Sequence, residues 1–64
     1  MRPLLEFDCE VDARQYRHEK NTGGWIFVPE DRGKVILFPP EMPPAHIFNH
    51  PISRGRSGLL IGSG

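Results

Sequence analysis

Four carboxylates, Glu6, Asp8, Glu10 and Asp12, occupy every second position of the opening stretch LEFDCEVDA, with Leu5, Phe7, Cys9 and Val11 between them. Strict alternation is the signature of a half-buried strand, on which same-face neighbours sit about 7 Å apart. A row of acids at that spacing can dock a basic surface of another protein, because rows of charge set partner choice and on-rate. It can also pair with cations of its own chain, and Arg14, Arg17 and Lys20 are the nearest to return along the same face. A calcium site needs oxygens that converge from a tight loop, which an extended row does not supply.

His46 and His50 stand four apart, the spacing that lets two imidazoles share a metal on one helical face. His18 and Cys9 complete a set of four borderline ligands, yet there is no close Cys pair and no Glu inside the His pair, and Pro51 follows at once. The two histidines are therefore weak metal candidates, and the expectation is no metal and no cofactor. Cys9 falls on the apolar side of its strand, where it reads as a small core residue.

The third cluster is SRGRSG. Arg54 and Arg56, separated by a glycine and flanked by Ser53 and Ser57, form a cradle for phosphate or for a partner's carboxylates. The loop lacks the Lys-Ser/Thr ending of a nucleotide-binding loop. Joined with Arg14, Tyr16, Arg17, Lys20 and Trp25, it would make a basic, partly aromatic face for single-stranded nucleic acid, where stacking is worth about 1–3 kcal/mol per base. Against this, the aromatics of GWIFV read as core. Serines, histidines and acids are all present, but nothing in their spacing assembles a triad, so no catalytic residue is assigned and the expectation is a protein that is not an enzyme.

The elements that must carry these groups read mainly as strands. The alternation predicts a strand over Leu5 to Asp12, a bulge or bend near residues 12–14, and a second extended piece over 15–19. NTGG is turn chemistry, and PEDRG between GWIFV and KVILF predicts a hairpin with Gly33 in the left-handed position. Neither apolar run alternates, so both are expected to be buried on both faces. Four prolines in PPEMPP forbid regular structure, making that segment a rigid covering loop that lays Phe38, Met42, Ile47 and Phe48 over one end of the barrel, or a polyproline ligand for another protein. Pro44 can open a short helical turn that Pro51 closes, and Leu59 to Ile61 reads as a closing strand.

The expected fold is thus a mainly β single domain over residues 1–61 with a flexible tail at 62–64: a curled antiparallel sheet or barrel of about 4–5 short strands, with at most one helical turn near 44–49. At the level of architecture this resembles the small SH3-like and OB-like barrels, a likeness that says nothing about activity.

Size and charge narrow the function. A chain of 64 residues hides roughly 60% of the surface its unfolded form exposes, and such a core seldom supplies more than about 3–5 kcal/mol. One cysteine permits no intrachain disulfide, no segment approaches the roughly 18 apolar residues of a membrane span, and the start lacks a leader-like apolar run. A cytoplasmic protein with no membrane partner is expected. Zero net charge argues against a uniformly basic nucleic-acid coat, but the charge is segregated: Arg2 against four acids leaves residues 1–12 at −3, while Arg14, Arg17 and Lys20 against Glu19 leave residues 13–20 at +2. The expected function is a small non-catalytic protein-binding module, such as an adaptor, complex subunit or inhibitor of the kind mobile genetic elements encode. The alternative is a small-barrel nucleic-acid binder using Arg54, Arg56 and residues 14–25. Monomer and homodimer are both open, although an edge strand dressed with four acids would oppose edge-to-edge self-association.

Overall fold

A computed structural model describes residues 4–62 and gives the order β1 (Leu5–Phe7), α1 (Glu10–Lys20), β2 (Trp25–Pro29), β3 (Val35–Phe38), α2 (Pro44–Phe48) and β4 (Gly58–Ile61). The four strands form one antiparallel sheet in the order β1-β3-β2-β4. It does not close into a barrel: β1 and β4 are its two edges, with α1 on one face and α2 on the other. The molecule is therefore an open α+β sheet. Of the tail expected at 62–64, residues 63–64 lie outside the described residues, as does Arg2.

The β2–β3 hairpin appears where the apolar runs place it, with Trp25 opposite Phe38, Ile26 opposite Leu37 and Phe27 opposite Ile36. Both strands are central and both are covered on two sides. Ile26, Val35 and Leu37 pack toward α1 around Ala13, while Phe27, Ile36 and Phe38 pack toward α2 around Ile47, with Trp25, Met42, Ile52 and Leu60 at the margin. In the connecting turn the Arg32 amide donates to the Pro29 carbonyl, and Arg32 itself takes the left-handed position at φ 63°, which corrects the expectation for Gly33. Gly33 instead donates its amide to the Asp31 carboxylate at 2.8 Å.

Pro29 in a central strand has a simple account. The Glu30 amide donates to the Ser57 carbonyl at 2.8 Å. Hydrogen-bonded pairs recur at every second residue of an antiparallel ladder, so Val28 and Ile26 face β4 with their backbone groups. Pro29 therefore turns its nitrogen toward β3, beyond the last pair of that ladder, where no donor is needed.

The principal correction is α1. Residues expected as strand, bulge and second strand form one helix of 11 residues. Period-two alternation ends at Phe7, and the helix draws on a different pattern in the same letters. Glu10 and Asp12 lie in the first turn and Arg17, His18 and Lys20 in the last, each sign at the end where the helix dipole favours it. Glu10 pairs with Arg14 at 2.6 Å and Gln15 with Glu19 at 3.2 Å, both four apart. Asn21 ends the helix in the left-handed conformation at φ 51°. Cys9, expected in the core, is the exposed residue before the first turn, and Val11 is 68% exposed. Only Ala13 is fully buried, with Tyr16 packed beside it.

Helix α2 begins with Pro44 at its first turn, as expected, and ends at Phe48 before Pro51. Ser53, buried in the loop that follows, donates its hydroxyl to the Ile47 carbonyl. Of the four side chains that the proline-rich cover is expected to lay over the core, Phe38, Met42 and Ile47 join the second core cluster and Phe48 is 45% exposed.

A helix and a strand over residues 10–20 make opposite demands on Val11 and Ala13. Val11→Ala should change stability by no more than about 0.5 kcal/mol, as surface substitutions do. Ala13→Leu, which forces methylenes between helix and sheet, should cost about 1–3 kcal/mol. Urea unfolding of the two variants measures both effects, and the reverse ranking would restore the strand.

Candidate functional site

Ala13 is buried against the sheet and Tyr16 half-buried beside it, and an adjacent stripe of α1 borders the surface. Arg14, Arg17, His18 and Asn21 are related as i, i+3, i+4 and i+7 and so lie on one side of the helix. The chain then passes through Thr22 and Gly23 and presses against the end of β3. A Cβ on Gly24, whose φ is 121°, would stand 2.5 Å from the Phe38 carbonyl oxygen, so the close approach requires glycine. The Gly24 carbonyl accepts a hydrogen bond from Arg17 at 3.3 Å, fastening the helix to the turn.

Two concavities result. A cleft of about 620 Å³ is bordered by Arg14, Arg17, His18 and Asn21. A slot of about 140 Å³ is bordered by Leu5, Tyr16, Leu37, Phe38 and Pro39. Thr22, Gly23 and Pro40 line both, so a basic cleft and an apolar slot adjoin across these residues. Tyr16 is held there by Phe7, ring centroids 5.5 Å apart, and by Lys20, whose ammonium lies 5.9 Å from the Tyr16 ring centre. Each guanidinium carries five N–H donors, and the contacts to Glu10 and Gly24 engage one nitrogen of each. Arg14 and Arg17 thus retain donors for a carboxylate or phosphate.

The acidic row does not form. Glu6 points to the α2 side of β1 opposite Ile36, Asp8 lies in the turn after β1, Glu10 is bonded to Arg14, and Asp12 is exposed on the helix. The cause is the change of period at Asp8, which turns a line of charges into groups on three sides of the molecule. Asp8 pairs with Lys34 instead of with α1. The Lys34 ammonium, by hydrogen bond and charge, holds the Asp8 carboxyl below its ordinary value and is itself raised in return.

The basic face expected from residues 14–25 together with Arg54 and Arg56 is divided. Arg14, Tyr16, Arg17 and Lys20 stand beside the start of β2, whereas the Arg54–Arg56 loop meets its far end, where Ser57 pairs with Glu30. Arg56 is also committed: its guanidinium bonds Asp31 at 3.1 Å and the Ile52 carbonyl at 3.2 Å and lies 5.8 Å from the Phe27 ring centre. Arg54 is exposed. His46 and His50 do not share a helical face, because α2 ends between them; the His50 ring meets Phe38 edge-on at 5.6 Å, and its Nδ1 accepts the Ile52 amide at 3.2 Å. Among the described residues no group of three His, Cys, Asp or Glu side chains is arranged to hold a metal ion, and no helix is long and apolar enough to cross a membrane.

His18, Asn21 and Pro40 were missed as groove residues by sequence reasoning. The signal for the first two was the i, i+3, i+4, i+7 spacing, legible once residues 10–20 are read as helical. Pro40 had none, because its approach depends on how β3 meets the turn. In comparisons with protein families, curated proteins and solved structures, the chain matches none.

The ion pairs predict acid sensitivity. Asp31 is held below the ordinary carboxylate range by its hydrogen bond from Arg56 and then by the Gly33 amide, and Asp8 by Lys34. A carboxyl depressed in the folded state stabilises the fold above its unfolded value, and the gain is lost as pH falls through the folded value. Thermal midpoints should therefore fall on acidification below about pH 4. Asp8→Asn with Asp31→Asn should lower the neutral-pH midpoint and flatten this dependence; an unchanged slope would show that neither pair matters to the fold.

Proposed function

We propose that this chain is a non-catalytic protein-binding module of the cytoplasm, whose docking site is the groove formed by α1, the 21–24 turn and Pro39–Pro40. The observation that carries this reading is that the basic cleft and the apolar slot lie side by side, with Thr22, Gly23 and Pro40 lining both. A ligand that satisfies both halves presents a carboxylate next to an apolar side chain, as an acidic segment of another protein does. Charge-assisted hydrogen bonds from guanidinium to carboxylate fix orientation, and the apolar contact adds affinity. The solitary Cys9 agrees with a reducing compartment.

The nucleic-acid reading has less support. Its two basic clusters stand at opposite ends of β2, Arg56 is engaged by Asp31, and Tyr16 packs on Phe7 instead of offering an open ring face.

Affinity capture from nuclease-treated lysate of the source cells tests the proposal. The native chain should retain a stoichiometric partner. Arg14→Glu with Arg17→Glu should lose it by tenfold or more, since hydrogen bonds to charged groups are worth about 1.5–3 kcal/mol each. Arg54→Glu should retain it. Capture that disappears with nuclease would move the function to nucleic acid, and capture indifferent to Arg14 and Arg17 would move the site elsewhere.

A further inference from the structure

The two edges of the sheet are unlike. On β1 the backbone groups of Leu5 and Phe7 pair with β3, and the residue between them with its backbone turned outward is Glu6, whose carboxylate is exposed. Asp8 and Lys34 add charge beside it. Such charges keep an edge from pairing with strangers. Strand β4 carries none: its sequence is Gly58, Leu59, Leu60, Ile61, followed by Gly62. Among the described residues it pairs with β2 alone.

The hydrogen-bond parity of that edge follows from one contact. Glu30 donates to Ser57, and the register sets Val28 opposite Leu59 and Ile26 opposite Ile61, so residues 57, 59 and 61 direct their amides and carbonyls to β2. Gly58, Leu60 and Gly62 direct theirs outward. The side chain of Leu59 stands on the α1 side of the sheet, but α1 packs chiefly over β1, β3 and β2, and Leu59 is left 68% exposed. An unguarded edge with an uncovered leucine is the feature that natural sheets avoid unless something pairs with it.

We propose that the β4 edge is the interface for a second copy of this chain, paired antiparallel about a two-fold axis so that two four-stranded sheets become one of eight strands. Antiparallel pairing of β4 with itself meets two constraints. A two-fold axis perpendicular to the sheet keeps each face continuous, so residues opposite each other must share parity. Pairing Leu60 with Leu60 of the partner subunit then makes the outward amide and carbonyl of Leu60 meet their own equivalents, and those of Gly58 meet the ones of Gly62 across the axis. The same register sets Leu59 beside Ile61 of the partner subunit, twice, on the α1 side, which covers the exposed leucine. Pairing of β4 with the β1 edge of another copy would be open-ended and would bring the Glu6 carboxylate against an apolar strand, so the closed arrangement is favoured. This interface is separate from the groove at α1 and does not depend on it.

Sedimentation equilibrium of the full chain from micromolar to millimolar concentration tests the proposal. The expected mass is twice the 7.3 kDa of one chain. Leu59→Lys, a change at an exposed position, should weaken self-association about tenfold or more while leaving circular dichroism and the monomer's fold intact. In a sample mixed from labelled and unlabelled chains, isotope-filtered spectra should show a contact between the Leu59 and Ile61 α-protons across subunits, which are close in a non-hydrogen-bonded pair. A native chain that stays monomeric throughout, or a dimer whose intersubunit contacts fall away from residues 58–62, would overturn the proposal.

Discussion

Everything in this molecule is arranged around two adjacent strands that cannot be left wet on either side. Trp25 to Val28 and Val35 to Phe38 contain no polar side chain, so the hairpin they form has an apolar surface above and another below. A single covering layer would leave half of it exposed. The chain meets the requirement with α1 on one face and α2 with its flanking loops on the other, a three-layer solution for a protein of 64 residues. The cost of so many layers is that each outer one is thin: α1 contributes one buried alanine and a packed tyrosine, α2 one buried isoleucine.

That thinness is what leaves room on α1 for the proposed docking groove. A helix that covers a sheet with a broad apolar face has no room for cations next to it. Here the covering stripe is narrow, and the neighbouring positions carry Arg14, Arg17 and His18 to the rim of the slot between helix and hairpin. The helix is held by means other than burial. Its charges are ordered along the dipole, its side chains pair four apart, and Arg17 is tied to the Gly24 carbonyl. Packing economy and the electrostatic character of the groove thus have one origin.

The hairpin, the proline-opened α2 and the closing strand were legible because each is marked by local chemistry that has few alternatives: unbroken β-branched and aromatic runs, a proline at a first helical turn, glycines on either side of LLI. The opening segment was not, and the reason is physical. In residues 5–12 apolar and acidic residues alternate perfectly, yet Glu10 and Asp12 are also the acids of a helix first turn and Arg17, His18 and Lys20 the cations of its last. Both patterns are present in the same residues. The contest is settled by what lies further along, since a strand continued to Val11 would bury a valine but forgo the cover that the α1 side of the hairpin needs. The site followed the same division. Arg14, Tyr16, Arg17 and Lys20 were named as basic or aromatic binding residues and do cluster by α1, whereas the acid row dissolved with the strand that was to carry it, and Arg54 and Arg56 proved to sit at the other end of β2.

The strand order β1-β3-β2-β4 also bears on how the chain assembles. The hairpin at its centre joins residues close in sequence through a short turn, whereas the edges are supplied from the two flanking segments, one across α1 and the other across α2. Hairpins form in roughly 1–10 μs, and pairings that close long loops come later because their entropy is lost before their contacts are gained. The centre of the sheet is thus the part able to form first, and β4 docks onto it from the far side of the proline-rich connection. Until it does, the backbone groups of Ile26 and Val28 that it will engage are a bare edge of one of the two central apolar strands. The order of the strands makes the time taken to dock β4 an interval of exposure to misassembly.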